Sequence, residues 1–319
     1  MQSVQATETV PIYARSVHYA RAVAQQLELR FELIDTHSGY LCRLSRGDNH
    51  IFIGGGALIA WPVNTAASVS LARDKAFCGG VLERDGLATV PTKVVFTSKT
   101  YSQVRAPGQE PEDAPVIAQN FGFPLIAKPN QGARGAFVKL CHDKTDLQAH
   151  LAQMSPRYDV AVLQPFINGA EYRVFVMADE AIFTYRKKNG ALNADGVRSV
   201  RQMITDYCAH LNGLGLNGPD TSDPAITKRL SEGGYTLDDI PPEGFVLERS
   251  IQANIAYGAA LCDFTTDVPP VLAETARRAA ASCDLAVAGV DMICPPEMPD
   301  HPQILEVNAN PGIASLEQQ

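Results

Sequence analysis

Apolar and polar positions along this chain follow two periods, and each period predicts one kind of element. Alternation with a period of two predicts strands in the N-terminal segments FELID, YLCRL and HIFIGGG. A period near 3.6 predicts a helix over residues 16–30 and another over 65–86, with Gly86 just past its end. Residues 1–60 therefore read as a small unit that mixes strands and a helix.

The remainder of the chain also mixes predicted helices and strands. Further helices are predicted over 114–122, 146–154, 197–212 and 269–285, and further strands within 123–128, 137–140, 159–177, 181–188 and 245–250. No internal repeat and no long disordered tract interrupts these elements. The pattern predicts an α+β chain.

Two neighbouring predicted strands near the C-terminus contain candidate metal ligands. They are AGVDMI (288–293) and ILEVNANPGI (304–313), and the short PPEMPDH linker between them favours an antiparallel hairpin. In that hairpin Asp291 would face Glu306, and Asn308 would lie on the same face as Glu306. Opposed carboxylates need a nearby cation, and these oxygens suit Mg²⁺. On this pattern alone, an ordinary solvated acidic pair explains the residues equally well.

A glycine-rich turn follows the strand that ends at Lys128, in FPLIAKPNQGARGAFVKL (123–140). Such a turn exposes backbone N–H groups that can hold an anion, with the lysine beside them. The segment lacks the GxxxxGK[ST] pattern of a P-loop, and no helix opens at its glycines. The alternative is a flexible hairpin with a surface lysine.

The segment 159–177 contains an apolar strand, a polar turn and a second strand that carries Glu171 and Arg173 on one face. Peptide groups in such a linker could meet the edge of an adenine, and Glu171 would suit a ribose hydroxyl pair. The basic residues Arg186, Lys187 and Lys188, taken alone, predict a solvated edge strand.

Composition narrows the classes of function. The chain has 319 residues, 45% hydrophobic and 19% charged, with a net charge of −8, which argues against nucleic-acid binding through counterion release. Its seven cysteines include no CxxC pair, which favours reduced thiols over disulfides or zinc. We find neither a signal pattern nor an apolar run of roughly 18 residues. A soluble, cytoplasmic protein is expected.

Five motifs, in this order and spacing, resemble the ATP-grasp ligases. They are the helix bearing Lys75, then IAKPNQGARGAFV, VLQPFINGAEYRV, GVDMI and LEVNANPG. Within that superfamily the chain is most similar to the ATP-grasp domain of cyanophycin synthetases and the C-terminal domain of bifunctional glutathione synthetases. Residues 234–268 are similar to the stretch that supplies the substrate-side loop there. The similarity runs from about residue 60 to the C-terminus.

The resemblance implies an ATP-grasp fold, in which two α+β lobes grip ATP behind a small N-terminal α/β unit. It implies an N-terminal unit at 1–90, a central lobe at 91–165 and a C-terminal lobe at 166–319 that holds the metal site. It also implies a reaction in which ATP phosphorylates a carboxylate, an amine attacks the acyl phosphate, and phosphate leaves. The implied partners are a small acid and a small amine, and the implied assembly is a homodimer, with no membrane or nucleic-acid partner.

By the same resemblance, individual residues acquire expected roles. Lys75 and Lys128 would contact phosphates, and the loop from Gln131 through Gly132 to Gly135 would close over them. Adenine and ribose would be held by Gln164, Pro165, Phe166, Ile167 and Glu171. Mg²⁺, or Mn²⁺ in its place, would be held by Asp291, Glu306 and Asn308. Arg249 and the Gly312 N–H would stabilise the acyl phosphate and its oxyanion.

The chain departs from those relatives at several points. Gln164 stands where many carry an acidic residue, although its carbonyl can accept the same bond, and RKKNG replaces their Arg-x-Pro-Ala type of sequence. The sequence contains neither the Mur-ligase-like domain nor the glutamate–cysteine ligase half, which favours small amino-acid-like substrates. Two alternatives stay open: a ligase that modifies a protein or peptide terminus, and a nucleotide-binding regulator without turnover.

Overall fold

Within the described residues, the strands form three antiparallel sheets and a two-stranded ribbon. In this computed structural model, the described residues are 14–55, 61–100, 102–132, 135–188, 191–213, 227, 230–231, 233–248 and 260–312. Several predictions fall outside them in whole or in part: Arg249, the central residues of the loop that runs from Gln131 to Gly135, the end of the predicted strand 245–250, and the middle of the stretch 234–268.

The N-terminal unit packs one helix against a three-stranded sheet. Its elements are α1 (Arg15–Gln26), β1 (Arg30–Leu33), β2 (Leu41–Arg46) and β3 (Asn49–Gly54). The helix buries Val17 and Ala20 against Cys42 and Leu44 of β2. These residues form a core of their own, as the alternating pattern of the strands predicts.

Residues 65–86 form two helices, so the prediction of a single helix there is wrong. Helix α2 spans Ala66–Arg73 and helix α3 spans Lys75–Arg84. Asp74 between them is extended, and its carboxylate accepts a hydrogen bond from the Phe77 N–H at 3.0 Å. A side-chain cap of this kind starts a new helix, even though the helical periodicity of the sequence continues across the break. The break places Lys75 at the first position of α3.

The central unit is a four-stranded sheet in the order β4-β7-β5-β6. Its elements are β4 (Lys93–Phe96), α4 (Ala114–Gln119), β5 (Leu125–Pro129), β6 (Lys139–Cys141), α5 (Lys144–Met154) and β7 (Val160–Pro165), with short 3₁₀ helices at Ser102–Val104 and Pro111–Asp113. The helices α4 and α5 pack on one face through residues such as Ala118, Leu147 and Leu151.

The C-terminal unit is a five-stranded sheet in the order β12-β9-β8-β13-β14. Its strands are β8 (Ala170–Met177), β9 (Glu180–Lys188), β12 (Ala260–Thr265), β13 (Val287–Cys294) and β14 (Gln303–Asn308), and helix α7 (Pro270–Ser282) covers it. A separate small cluster contains α6 (Val200–Gly213) and the ribbon of β10 (Ala191–Asn193) and β11 (Val246–Glu248). Every residue of β13 is buried.

Helices α2 and α3 share their core with the C-terminal sheet. Cys78 and Leu82 pack in one cluster with Val290 and Ile304. The first position of α3 is thereby held next to the sheet that carries Asp291. The domain boundaries at residues 90 and 165 stay a prediction.

Two further observations concern the classes of protein considered above. Within the described residues, no disulfide involves the cysteines at 42, 78, 141, 208, 283 and 294. Among the helices in the described ranges, none combines the length and apolarity needed to cross a bilayer.

Candidate active site

The predicted C-terminal hairpin is confirmed, and it brings two acidic residues together. Strands β13 and β14 pair antiparallel with Asp291 opposite Glu306, and the register shifts immediately after this pair. The Asn308 side chain donates from Nδ2 to Glu306 Oε1 at 3.1 Å. Asn308 therefore contacts Glu306 through the nitrogen of its amide. Asp291 is only 2% exposed.

Two cations from neighbouring strands occupy both oxygens of Asp291. Arg173 on β8 donates from Nε and Nη2 at 2.6 Å each, and the Lys187 ammonium on β9 lies 2.7 Å from Oδ2. Burial disfavours the charged form of Asp291, but these two charges outweigh it and hold its pKa well below the ordinary range. These two side chains are the cations that the opposed acidic pair of the hairpin requires.

Lys187 is not a solvated edge residue, so that part of the sequence prediction is wrong. Strand β9 lies between β12 and β8, and the Lys187 side chain is 9% exposed. Its register partner on β8 is Glu171. Cross-strand partners share a face, so pairing with the strand that carries Glu171 was the signal that could have found it.

Lys128, at the end of β5, is a buried cation without a counter-ion. The residue is 8% exposed, and within the described parts of the chain its ammonium has no hydrogen bond and no ion pair. Burial lowers its pKa to about 8, although the charge of Glu306 opposes this shift. An ammonium in this position is costly unless an anion binds to it.

Lys75 joins the glycine-rich turn to the acidic hairpin. Its ammonium lies 3.3 Å from the carbonyl oxygens of Asn130 and Gly132, and 3.8 Å from Glu306. The Asn130 side chain accepts from the Ala76 N–H at 3.0 Å and donates to Asp74 at 2.7 Å. The beginning of the predicted loop is thus tied to the N-terminus of α3. Gln131 is exposed beside it.

The predicted linker residues surround the same region. Gln164 is 4% exposed at the end of β7, Pro165 and Ile167 are half-buried, and Phe166 is exposed. Burial raises the pKa of the Glu171 carboxyl, while the charge of Lys187 opposes the shift. Gly135, on the far side of the loop, has a φ of +72°, which favours glycine.

A cleft connects several of these groups. Its lining includes Lys75, Thr92, Gln164 and Glu306, together with Cys78 and Val90. The cleft brings the predicted adenine-binding glutamine into one space with a predicted phosphate ligand and a predicted metal ligand.

Gly312, the last described residue, lies two residues after Asn310 on the turn that follows β14. It is exposed, with open space on the side where a side chain would project. The preceding turn is anchored, because Asn64 donates from Nδ2 to the carbonyl oxygens of Val287 and Ala309 at 2.8 and 2.9 Å.

The charges in this region fit a polyanion accompanied by a divalent cation. Four cations face three carboxylates, namely Lys75, Lys128, Arg173 and Lys187 against Glu171, Asp291 and Glu306. Within the described residues no group of three His, Cys, Asp or Glu side chains could hold a metal. Two carboxylates and one amide would leave coordination positions open for phosphate oxygens and water.

Comparisons with known proteins relate the chain to one family of domains. Residues 72–200 match the model of the RimK-like ATP-grasp domain. The bifunctional glutathione biosynthesis protein GshAB of Mannheimia succiniciproducens is 26% identical over 304 residues, which cover 90% of this chain and 38% of that protein. GshAB of Streptococcus agalactiae serotype V is 27% identical over 183 residues, 54% of this chain and 24% of its own. The chain thus spans well under half the length of these relatives.

A solved structure shares the fold. The bifunctional glutathione synthetase from Pasteurella multocida superposes with a TM-score of 0.58 at 21% identity, covering 94% of this chain and 41% of that one. At this identity the similarity establishes the fold alone. Residues 72–200 thus match a RimK-like ATP-grasp domain, and the order of the motifs along the chain agrees with this match.

Proposed function

We propose that the protein is an ATP-dependent carboxylate–amine ligase. It joins a small acid to a small amine, both amino-acid-like, through an amide or peptide bond, and it releases ADP and phosphate. The observation that carries this proposal is the buried ammonium of Lys128, which has no counter-ion in the described chain and lies in the field of Glu306, Glu171 and Asp291. Such a group is stabilised by a phosphate chain that a metal ion neutralises in part.

Different residues of the site bind different parts of the nucleotide. Lys75 and Lys128 bind its phosphates under the loop formed by Gln131, Gly132 and Gly135. Gln164, the Pro165–Ile167 backbone and Glu171 hold its adenine and ribose. Asp291, Glu306 and Asn308 hold Mg²⁺, or Mn²⁺, which supplies charge neutralisation to the phosphates when bound.

Catalysis rests on positioning and on positive charge. Phosphoryl transfer needs little covalent chemistry from the protein but much stabilisation of charge on the migrating group. The substrate carboxylate attacks the terminal phosphorus of ATP, the bond from that phosphorus to the bridging oxygen breaks, and ADP leaves, so that an acyl phosphate forms. The amine then attacks the acyl carbon, and phosphate leaves. Arg249 and the Gly312 N–H stabilise the acyl phosphate and the oxyanion in this proposal, and a homodimer is its expected assembly.

The test is a phosphate-release screen with ATP, Mg²⁺ and pairs of amino acids or short peptides, followed by mass spectrometry of the products. We expect release that depends on both an acid and an amine, and a coupled product of matching mass. E306Q should abolish release, whereas E274Q, which changes an exposed glutamate on α7, should retain it. Release with the acid alone, or full activity in E306Q, would contradict the proposal. Mass addition to a polypeptide and to no free amino acid would indicate the terminus-modifying alternative.

A further inference from the structure

The hydrogen bonds around Gln164 determine which end of its amide faces the cleft. Gln164 donates from Nε2 to the Thr92 hydroxyl oxygen at 2.8 Å, and that hydroxyl donates to the Val90 carbonyl oxygen at 2.8 Å. A hydroxyl has one hydrogen, and this one is already engaged by Val90. Thr92 can therefore only accept from Gln164, and it must face the NH₂ end of the amide.

The carbonyl end of the amide is consequently an acceptor without a donor. Gln164 is 4% exposed and lines the cleft. In the part of the chain that the structure describes, its Oε1 atom has no hydrogen-bond partner. Because the described residues offer it no donor, this oxygen is available to a donor on a molecule that enters the cleft.

We propose that Thr92 is a specificity-determining positioning residue that makes the nucleotide site select an amino-bearing purine. By fixing the Gln164 amide, Thr92 presents a carbonyl acceptor to the six-position of the base. The amino group of adenine donates to that oxygen. Hypoxanthine and guanine carry an oxygen at the same position, so two acceptors would face each other without a proton. The inference rests on the proposed nucleotide site and adds its selectivity.

The positions of the two strands explain why this pair forms. Lys93 of β4 is the register partner of Leu163 of β7. Thr92 precedes the first of these residues and Gln164 follows the second, so the two side chains meet where the antiparallel strands end. If Thr92 served only to tie the two strands together, substituting it would lower the stability of the protein and weaken the binding of all nucleotides alike. Only a role in orienting the amide changes the ratio between two bases.

The experiment compares ADP with IDP, which differ at the six-position and in the protonation of the adjacent ring nitrogen. Binding is measured by isothermal titration calorimetry with Mg²⁺ at pH 8. We expect the wild-type protein to bind ADP about 10- to 100-fold more tightly than IDP, the range of one buried hydrogen bond lost and one acceptor left unpaired. In T92V the amide is free to turn its NH₂ group to the cleft, and the ratio should fall at least about fivefold on the same basis.

Three further variants separate the orienting role from a structural one. T92S keeps the hydroxyl and should keep the wild-type ratio. T89V changes another threonine of the cleft lining, whose hydroxyl bonds to Glu83 at 2.7 Å, and should also leave the ratio unchanged. In Q164E both ends of the side chain are acceptors, so T92V added to Q164E should have no effect on the ratio.

The possible failures are distinguishable. If wild-type protein binds ADP but T92V keeps the full preference, or if T92V weakens both nucleotides equally, the inference about Thr92 is overturned while the ligase proposal stands. If wild-type protein binds neither nucleotide, the proposed function itself fails, and the inference fails with it.

Discussion

Replacing Lys128 with methionine should stabilise the nucleotide-free protein while it abolishes nucleotide binding. Methionine has a similar length and shape but no charge, so it removes the buried ammonium with little change in packing. Burial lowers the pKa of Lys128 from 10.5 to about 8. At about 1.4 kcal/mol for each tenfold change in proton affinity, the charged form costs up to about 3 kcal/mol at neutral pH. K128M should raise the free energy of unfolding by as much as that amount.

The same shift predicts how stability changes with pH. The unfolded chain keeps the Lys128 proton up to 10.5, whereas the folded chain releases it near 8. Between these values the unfolded state binds more protons, so the free energy of unfolding of the wild type rises with pH. This contribution is absent in K128M. Nucleotide binding to the wild type should weaken as the pH rises above 8, because the ammonium that meets the phosphate is then lost.

Urea denaturation at pH 7 and pH 9.5, with and without ADP and Mg²⁺, measures these effects. K93M is the matched control, because Lys93 is an exposed lysine on the same sheet and should alter neither stability nor binding. The wild type should gain stability from ADP by mass action, and K128M should not. A K128M protein that is less stable than the wild type and still gains stability from ADP would refute the reasoning.

Three further outcomes are expected. R173M should lower the free energy of unfolding by about 3 kcal/mol in urea denaturation, because Asp291 stays buried with one cation fewer, and an unchanged urea midpoint would contradict this. G289A should cost about 1–3 kcal/mol in thermal denaturation, since the added Cβ would lie 2.8 Å from Pro311 Cβ; a neutral effect would show that this turn moves freely. Burial lowers the pKa of His150, so its contribution to stability is present above pH 6.5 and is lost as the pH falls through the lowered value. H150Q should lack this loss in denaturation from pH 4 to 8, and an identical pH profile would refute the assignment.

The C-terminal hairpin was predictable because its period of two fixes every face once the pairing is known. Asp291 opposite Glu306 follows directly from the short linker and the alternation. The helix break at residue 74 was not predicted, because α2 and α3 both match a helical period. The feature that marks the break is a single hydrogen bond, which the Asp74 carboxylate accepts from the Phe77 N–H. Capping is decided by one side-chain contact, which periodicity does not record.

The cations of the site were harder to predict than its carboxylates. Lys187 lies in the basic run Arg186–Lys188, which resembles an exposed edge, and only the position of β9 inside the sheet buries it. The hydrogen bond between Thr92 and Gln164 joins residues 72 positions apart, and it forms only because β7 pairs with β4. Long-range strand pairing is not encoded in any local pattern, so such contacts require the structure.

The bidentate bond between Arg173 and Asp291 also bears on how the chain folds. These two residues are register partners on β8 and β13. If the strands slipped by one residue, the side chains would point to opposite faces, and a bare carboxylate would be trapped in an apolar layer. Asp291, a candidate metal ligand, therefore also favours the correct alignment of β8 with β13. A misaligned sheet would be destabilised during folding, before any ligand binds.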